Sequence, residues 1–118
     1  MARTVLIVDD HPSFRASARA LLTADGFEVV GEAEDGASAI DATERLHPEL
    51  ILLDVQLPDM DGFDVAARIS VLNGSRPAIV LTSSRDAADF GPLVERCGAA
   101  AFVPKAELSG AALRSVLR

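Results

Sequence analysis

The sequence predicts a three-layer α/β fold around a parallel sheet, and three observations carry that prediction. Five short aliphatic runs alternate with helix-like segments along the chain. Most of the runs are nearly continuous in apolar residues, as strands covered on both faces must be. Several of the runs end abruptly on acidic, hydroxyl or basic residues, so polar chemistry is concentrated where strands stop. At 118 residues the chain suits one domain, 1–118, which can bury roughly two-thirds of its unfolded surface.

The first run, "TVLIV" (4–8), gives a strand, and "PSFRASARALLTADG" after it places Phe14, Ala18, Leu21 and Leu22 on one helical face, with Gly26 where the helix stops. "FEVVGEA" (27–33) is the second strand, and "GASAIDATERLHPE" offers Ala37, Ile40 and Leu46 to the core before Pro48 terminates it. "LILL" (50–53) is the third strand. Its helix, "GFDVAARISVLNG", presents Phe63, Ala66 and Ile69 and closes on Asn73 and Gly74. After "AIVL" (78–81), the segment "SRDAADFGPLVERCG" is broken by Gly91-Pro92, which predicts a reduced fourth helix starting at the proline. "AAFV" (100–103) is the fifth strand, and "SGAALRSVLR" opens on Ser109 as an N-cap. Parallel strands joined in this way take right-handed crossovers.

Composition narrows the function. A net charge of −7 with no basic stripe argues against direct nucleic-acid binding by this domain. The longest apolar runs fall far short of the roughly 20 residues a membrane span needs. "MARTVLIVDD" is too short in apolar residues for a signal-peptide core, so the expected location is cytoplasmic. Cys97 has no second cysteine to pair with and no flanking base, and reads as a small buried hydrophobe.

In open parallel sheets, ligands bind beyond the carboxyl ends of the strands. Asp9-Asp10 follows the first run, Asp54 the third, Thr82-Ser83-Ser84 the fourth, and Lys105 the fifth. Singly, each is an ordinary cap, turn or surface residue; together they place three carboxylates, hydroxyls and an ammonium at one end of the sheet. Carboxylates about 4 Å apart repel by about 4 kcal/mol per pair at an effective dielectric near 20, more than one lysine offsets. A hard divalent cation with oxygen ligands, Mg²⁺, fits the remainder. Asp54 beside it could act as a nucleophile toward phosphorus, with the metal and Lys105 stabilising the transferring oxygens.

These motifs, "VLIVDDHPSFR", "LILLDVQLPDMDG", "AIVLTSS" and "AAFVPK", in this order and spacing, resemble the receiver domain of bacterial two-component response regulators. The opening and the "VPKAELSGAAL" ending are most similar to the NarL/FixJ (LuxR-type) receivers, which precede a helix-turn-helix domain. The resemblance implies a CheY-like, flavodoxin-like (βα)5 sheet of order 2-1-3-4-5. It implies Asp54 as phosphoacceptor for a cognate sensor histidine kinase, with Asp10, Asp9 through water, Asp54 and the Gln56 carbonyl around Mg²⁺. It further implies Lys105 as phosphoryl contact, Thr82 as switch hydroxyl and Phe102 as aromatic switch, with a homodimer formed on phosphorylation. An output DNA-binding domain beyond this chain is the leading expectation, and a stand-alone regulator the alternative.

Three positions depart from the family pattern: Ala106 stands where a proline, often cis, follows the lysine; Phe102 lacks the usual tyrosine hydroxyl; and Gly91-Pro92 interrupts the fourth helix. His11 is expected to play a local structural role, His47 to sit solvated at a helix end, and Gln56 and Ser84 to match positions that influence phosphoryl lifetime. The chain is thus read as a phosphorylation substrate that assists its own reaction, not an enzyme with turnover. A haloacid dehalogenase-type hydrolase resembles it in using a strand-end Asp, but needs a second acid where Gln56 stands. A flavin-phosphate loop would be hydroxyl- and glycine-rich, the opposite of Asp9-Asp10.

Overall fold

Each apolar run forms a strand: β1 (Thr4–Val8), β2 (Glu28–Ala33), β3 (Leu50–Asp54), β4 (Ala78–Ser83) and β5 (Ala101–Pro104). Helices α1 (Pro12–Ala24), α2 (Gly36–Leu46), α3 (Gly62–Ser70), α4 (Leu93–Arg96) and α5 (Gly110–Val116) complete the alternation. This computed structural model describes residues 3–72, 77–85 and 87–117. The strands pair in the order β2-β1-β3-β4-β5, every pair parallel, which is the flavodoxin-like order.

Strand side chains alternate between faces, and that alternation builds two cores. Leu6, Val8, Ile51, Leu53, Ile79 and Leu81 pack with Ala39, Ala42, Phe63, Ala66 and Ile69, the inner faces of α2 and α3. Val5, Ile7, Leu50, Leu52 and Val80 pack with Ala18, Leu22 and Leu113 from α1 and α5. The central strands are therefore continuous apolar runs because both neighbours are helical layers. The edge strands β2 and β5 are only partly buried, since each lacks a strand on one side.

Several helix residues sit differently from the sequence expectation. Leu21 is 36% exposed, because Ala18 and Leu22, one turn apart, already point straight at the sheet and Leu21 lies at the rim. Phe14 is half-buried. Ala37 is exposed; the buried stripe of α2 runs through Gly36, Ala39, Ala42 and Thr43 instead. The expected closing pair Asn73 and Gly74 lies outside the described residues.

Other expectations match. Gly26 takes φ +92° just after the end of α1, and the Ser109 hydroxyl accepts from the Ala112 N–H at the start of α5. His47 is exposed and left-handed (φ 48°) at the end of α2, followed by Pro48. Gly91 has φ +57°, separating a 3-10 turn at Ala87–Phe90 from an α4 of four residues that Pro92 caps. Cys97 is buried, its thiol 3.4 Å from the Val94 carbonyl. Among the described residues no helix is long and apolar enough to cross a membrane.

Candidate functional site

The alternation that builds the core also aims the polar residues. Val5 and Ile7, Leu50 and Leu52, Val80 and Val103 all belong to the α1/α5 side of the sheet. Two residues further along each strand direction stand Asp9, Asp54, Thr82 and Lys105, so one period delivers all four to the same side of the strand ends. Asp54 and Thr82 are register partners on β3 and β4. Asp9 and Thr82 are fully buried and Asp54 nearly so.

A cleft of about 310 Å³ opens above them, lined by Asp10, His11, Asp54, Gln56, Ser84 and Lys105, among others. Ligand atoms of Asp9, Asp10, His11 and Asp54 all lie within 4.8 Å of one another. The Lys105 ammonium sits 2.7 Å from Asp9 Oδ2 and 3.7 Å from Asp54 Oδ2. The first contact is an ion pair without hydrogen-bond alignment, so Asp9 Oδ2 has no hydrogen-bond donor. Lys105 also lies 4.3 Å over the Phe14 ring, a cation–π contact that steadies the ammonium from the α1 side.

Asp54 titrates unusually. Its carboxyl is pushed up to about 6, first by burial and then by the neighbouring Asp9 charge, while Lys105 and the Gln56 N–H pull the other way. Thr82 is anomalous in another sense. Its hydroxyl is buried and has no protein hydrogen-bond partner among the described residues, an uncommon state for a polar group in a native interior.

Oxygen donors from three carboxylates fit a hard cation such as Mg²⁺, and one ammonium shared between two of them leaves negative charge to be balanced. Gln56 lines the cleft and its N–H is 3.4 Å from Asp54 Oδ1. His11 fills the local role expected of it: its N–H donates to Asp9 Oδ1 (2.8 Å), and its Nδ1 is 3.0 Å from one oxygen each of Asp9 and Asp10.

Phe102 falls on the other side of the sheet, against the α2/α3 core. Its ring is 5.8 Å from Phe90, which is 5.5 Å from Phe63 on α3. Thr82 and Phe102 are therefore separated by the sheet, and any coupling between them must run through the backbone after β4. Lys105–Glu107 is a 3-10 turn, and all described peptide bonds, including Lys105–Ala106, are trans.

Other contributors were not visible in the sequence. Arg15 donates to the Asp9 carbonyl (2.6 Å) while its Nε pairs with Glu32, whose carboxyl Arg19 and Arg15 together hold below its usual range. Gly62 is needed at the start of α3 because a Cβ there would collide with the Asp54 carbonyl oxygen and Val55 Cα. Nothing in the residues around Asp61-Gly62 marks this backbone contact ahead of the fold.

Comparison with known proteins gives a consistent result. The family model described as response regulator receiver domain matches residues 5–118. A transcriptional regulator of Pseudomonas aeruginosa is 43% identical over 87% of this chain and 49% of its own length. The nitrate/nitrite response regulator protein NarP of Escherichia coli is 44% identical over 77% of this chain and 43% of its own. The signal receiver domain of the response regulator NarL from Mycobacterium tuberculosis superposes with a TM-score of 0.85 at 34% identity, covering 98% of this chain and 97% of that one. The chain spans about half the length of the first curated relatives it matches.

Proposed function

The chain belongs to the response regulator receiver domain family of two-component signalling, and from that premise we propose that Asp54 is its phosphoacceptor. The observation that carries this reading is the buried pair at the ends of β3 and β4: a carboxyl with raised pKa beside a hydroxyl that lacks a partner.

An Asp54 oxygen attacks phosphorus, and the bond from phosphorus to the donor breaks, its electron pair leaving with the donor imidazole of a sensor histidine kinase. At neutral pH Asp54 is mostly ionised, and burial leaves it poorly solvated, both of which favour attack. Lys105, at 3.7 Å from Asp54, is positioned to meet a phosphoryl oxygen. Asp9, Asp10, Asp54 and the Gln56 backbone carbonyl would hold Mg²⁺, which when bound supplies positive charge to the phosphoryl oxygens.

The Thr82 hydroxyl donates to a second phosphoryl oxygen and draws the segment after β4 inward. Phe102, held by packing alone, then turns into the space released. Moving a two-state domain from 1% to 99% active needs about 5.5 kcal/mol. One charge-assisted hydrogen bond contributes about 1.5–3 kcal/mol, so Thr82, Lys105 and Phe102 must move together.

The half-length match to transcriptional regulators supports reading residues 1–118 as the receiver part of a longer transcriptional regulator; a cytoplasmic location, a helix-turn-helix output domain and dimerisation on phosphorylation complete the proposal. Intact mass after incubation with Mg²⁺ and acetyl phosphate tests the acceptor: wild type gains one phosphoryl group and Asp54→Asn gains none. Equal gain by the variant would move the acceptor elsewhere.

A further inference from the structure

Resting on that reading of the oxygen cluster, we infer that Asp59 is a positioning residue for the metal-binding loop, clamping residues 55–61 onto the first turn of α2. Its carboxylate uses both oxygens across 23 residues of sequence: the Gly36 N–H donates to Oδ1 at 2.7 Å and the Ala37 N–H to Oδ2 at 3.0 Å. The helix already has its own cap, since Asp35 accepts from the Ser38 N–H at 2.8 Å. Together the two aspartates satisfy the first three amides of α2, and Asp59 takes the two nearest the end. These backbone donors hold the Asp59 carboxyl below its ordinary range.

Contact with α2 is built into the helix. A Cβ on Gly36 would collide with the Met60 side chain, so glycine leaves room for the loop to lie against the helix end. At its root the loop is closed by the Gln56–Asp61 bridge and by the Gly62 N–H donating to the Val55 carbonyl at 2.6 Å. Asp61 then caps α3 through the Asp64 N–H. Its tip reaches outward through exposed Pro58 and Asp59. Gln56, the residue assigned to the metal through its carbonyl, stands at the root, on the bridge to Asp61 and three residues before Asp59, so the loop is held at one end by the bridge and at the other by Asp59. Releasing the tip from α2 loosens the segment that carries this ligand without touching the carboxylates themselves.

Asp35 supplies the control, because Asp35→Ala removes a cap from the same helix end without freeing the loop. The chain has no Trp or Tyr, so Mg²⁺ is titrated by amide NMR shifts. Asp59→Ala is expected to weaken Mg²⁺ binding about tenfold, as loss of an outer-shell support does, while Asp35→Ala lowers the melting temperature but leaves Mg²⁺ affinity unchanged. Asp59→Asn, which keeps one acceptor oxygen, falls between wild type and Asp59→Ala. In metal-free protein the Gln56, Leu57 and Met60 amides exchange faster in Asp59→Ala than in Asp35→Ala.

Equal Mg²⁺ affinity in wild type and Asp59→Ala, or equal weakening by Asp35→Ala, would overturn the clamp. A loss in Asp59→Asn as large as in Asp59→Ala would reduce the effect to charge and overturn it as well. Failure of wild type to bind Mg²⁺ would overturn the parent reading, visible separately from the exchange comparison.

Discussion

β3 with its following loop, and the stretch from the 3-10 turn through β5, flank β4 on opposite sides in one sheet but are built to different standards. Every residue of β3 is buried, α3 carries five buried residues, and the loop between them is tied by a bridge, a helix cap and the Asp59 contacts. β5 is partly buried throughout, pairs on one side only, and is preceded by an α4 of four residues behind Gly91-Pro92. Asp54, the proposed acceptor, thus stands on a fully buried strand, and Phe102, the proposed aromatic switch, on a partly buried one. Local stability follows buried contacts, so an element that must move is best drawn from the less buried region.

Core truncations test that contrast with the largest effects. Leu52→Ala on β3 is expected to cost about 3–5 kcal/mol in denaturant unfolding, whereas Val103→Ala on β5 costs about 1 kcal/mol. Comparable losses would erase the distinction. Next comes Gly62→Ala, whose new methyl meets the Asp54 and Val55 backbone rather than a yielding side chain; a loss of about 2 kcal/mol is expected. A neutral result would mean that α3 does not approach β3 as closely as described.

The smallest effect is a gain. The folded Asp54 carboxyl, raised from 3.8 to about 6, holds its proton more tightly than the unfolded one. Its contribution to stability is therefore fully present below about pH 4 and is lost as pH rises through about 6. In metal-free buffer at pH 7, Asp54→Asn should be more stable than wild type by about 1–2 kcal/mol, a figure reduced for water at the cleft, and the gain should vanish near pH 4. Thermal melts across pH decide this, and a pH-independent gain would point to packing rather than charge.

Much of this was legible in the sequence because burial on both faces leaves a continuous apolar run, and β1, β3 and β4 are such runs. Their ends marked Asp9, Asp54 and Thr82, and Lys105 followed from the fifth run. Gly91-Pro92 likewise announced the short α4. What was not legible depends on contacts between distant segments. Asp59 reads as one more loop acid, and only the folded chain brings it to Gly36. Phe14 reads as a core residue, whereas its ring is shared with Lys105. Ala37 and Leu21 were assigned to buried faces because a small or apolar residue at the rim of a stripe has the same character as one at its centre.

In the proposed switch, the buried region around Asp54 drives the less buried region around Phe102. The most direct test of this is the amide NMR spectrum of wild type with and without beryllofluoride and Mg²⁺, a stand-in for the phosphoryl group on Asp54. Large shifts are expected at Thr82–Ser84, in the 3-10 turn at Ala87–Phe90, and at Phe102, with Leu50–Leu53 nearly unmoved. Shifts confined to the cleft, with Phe90 and Phe102 unchanged, would contradict it.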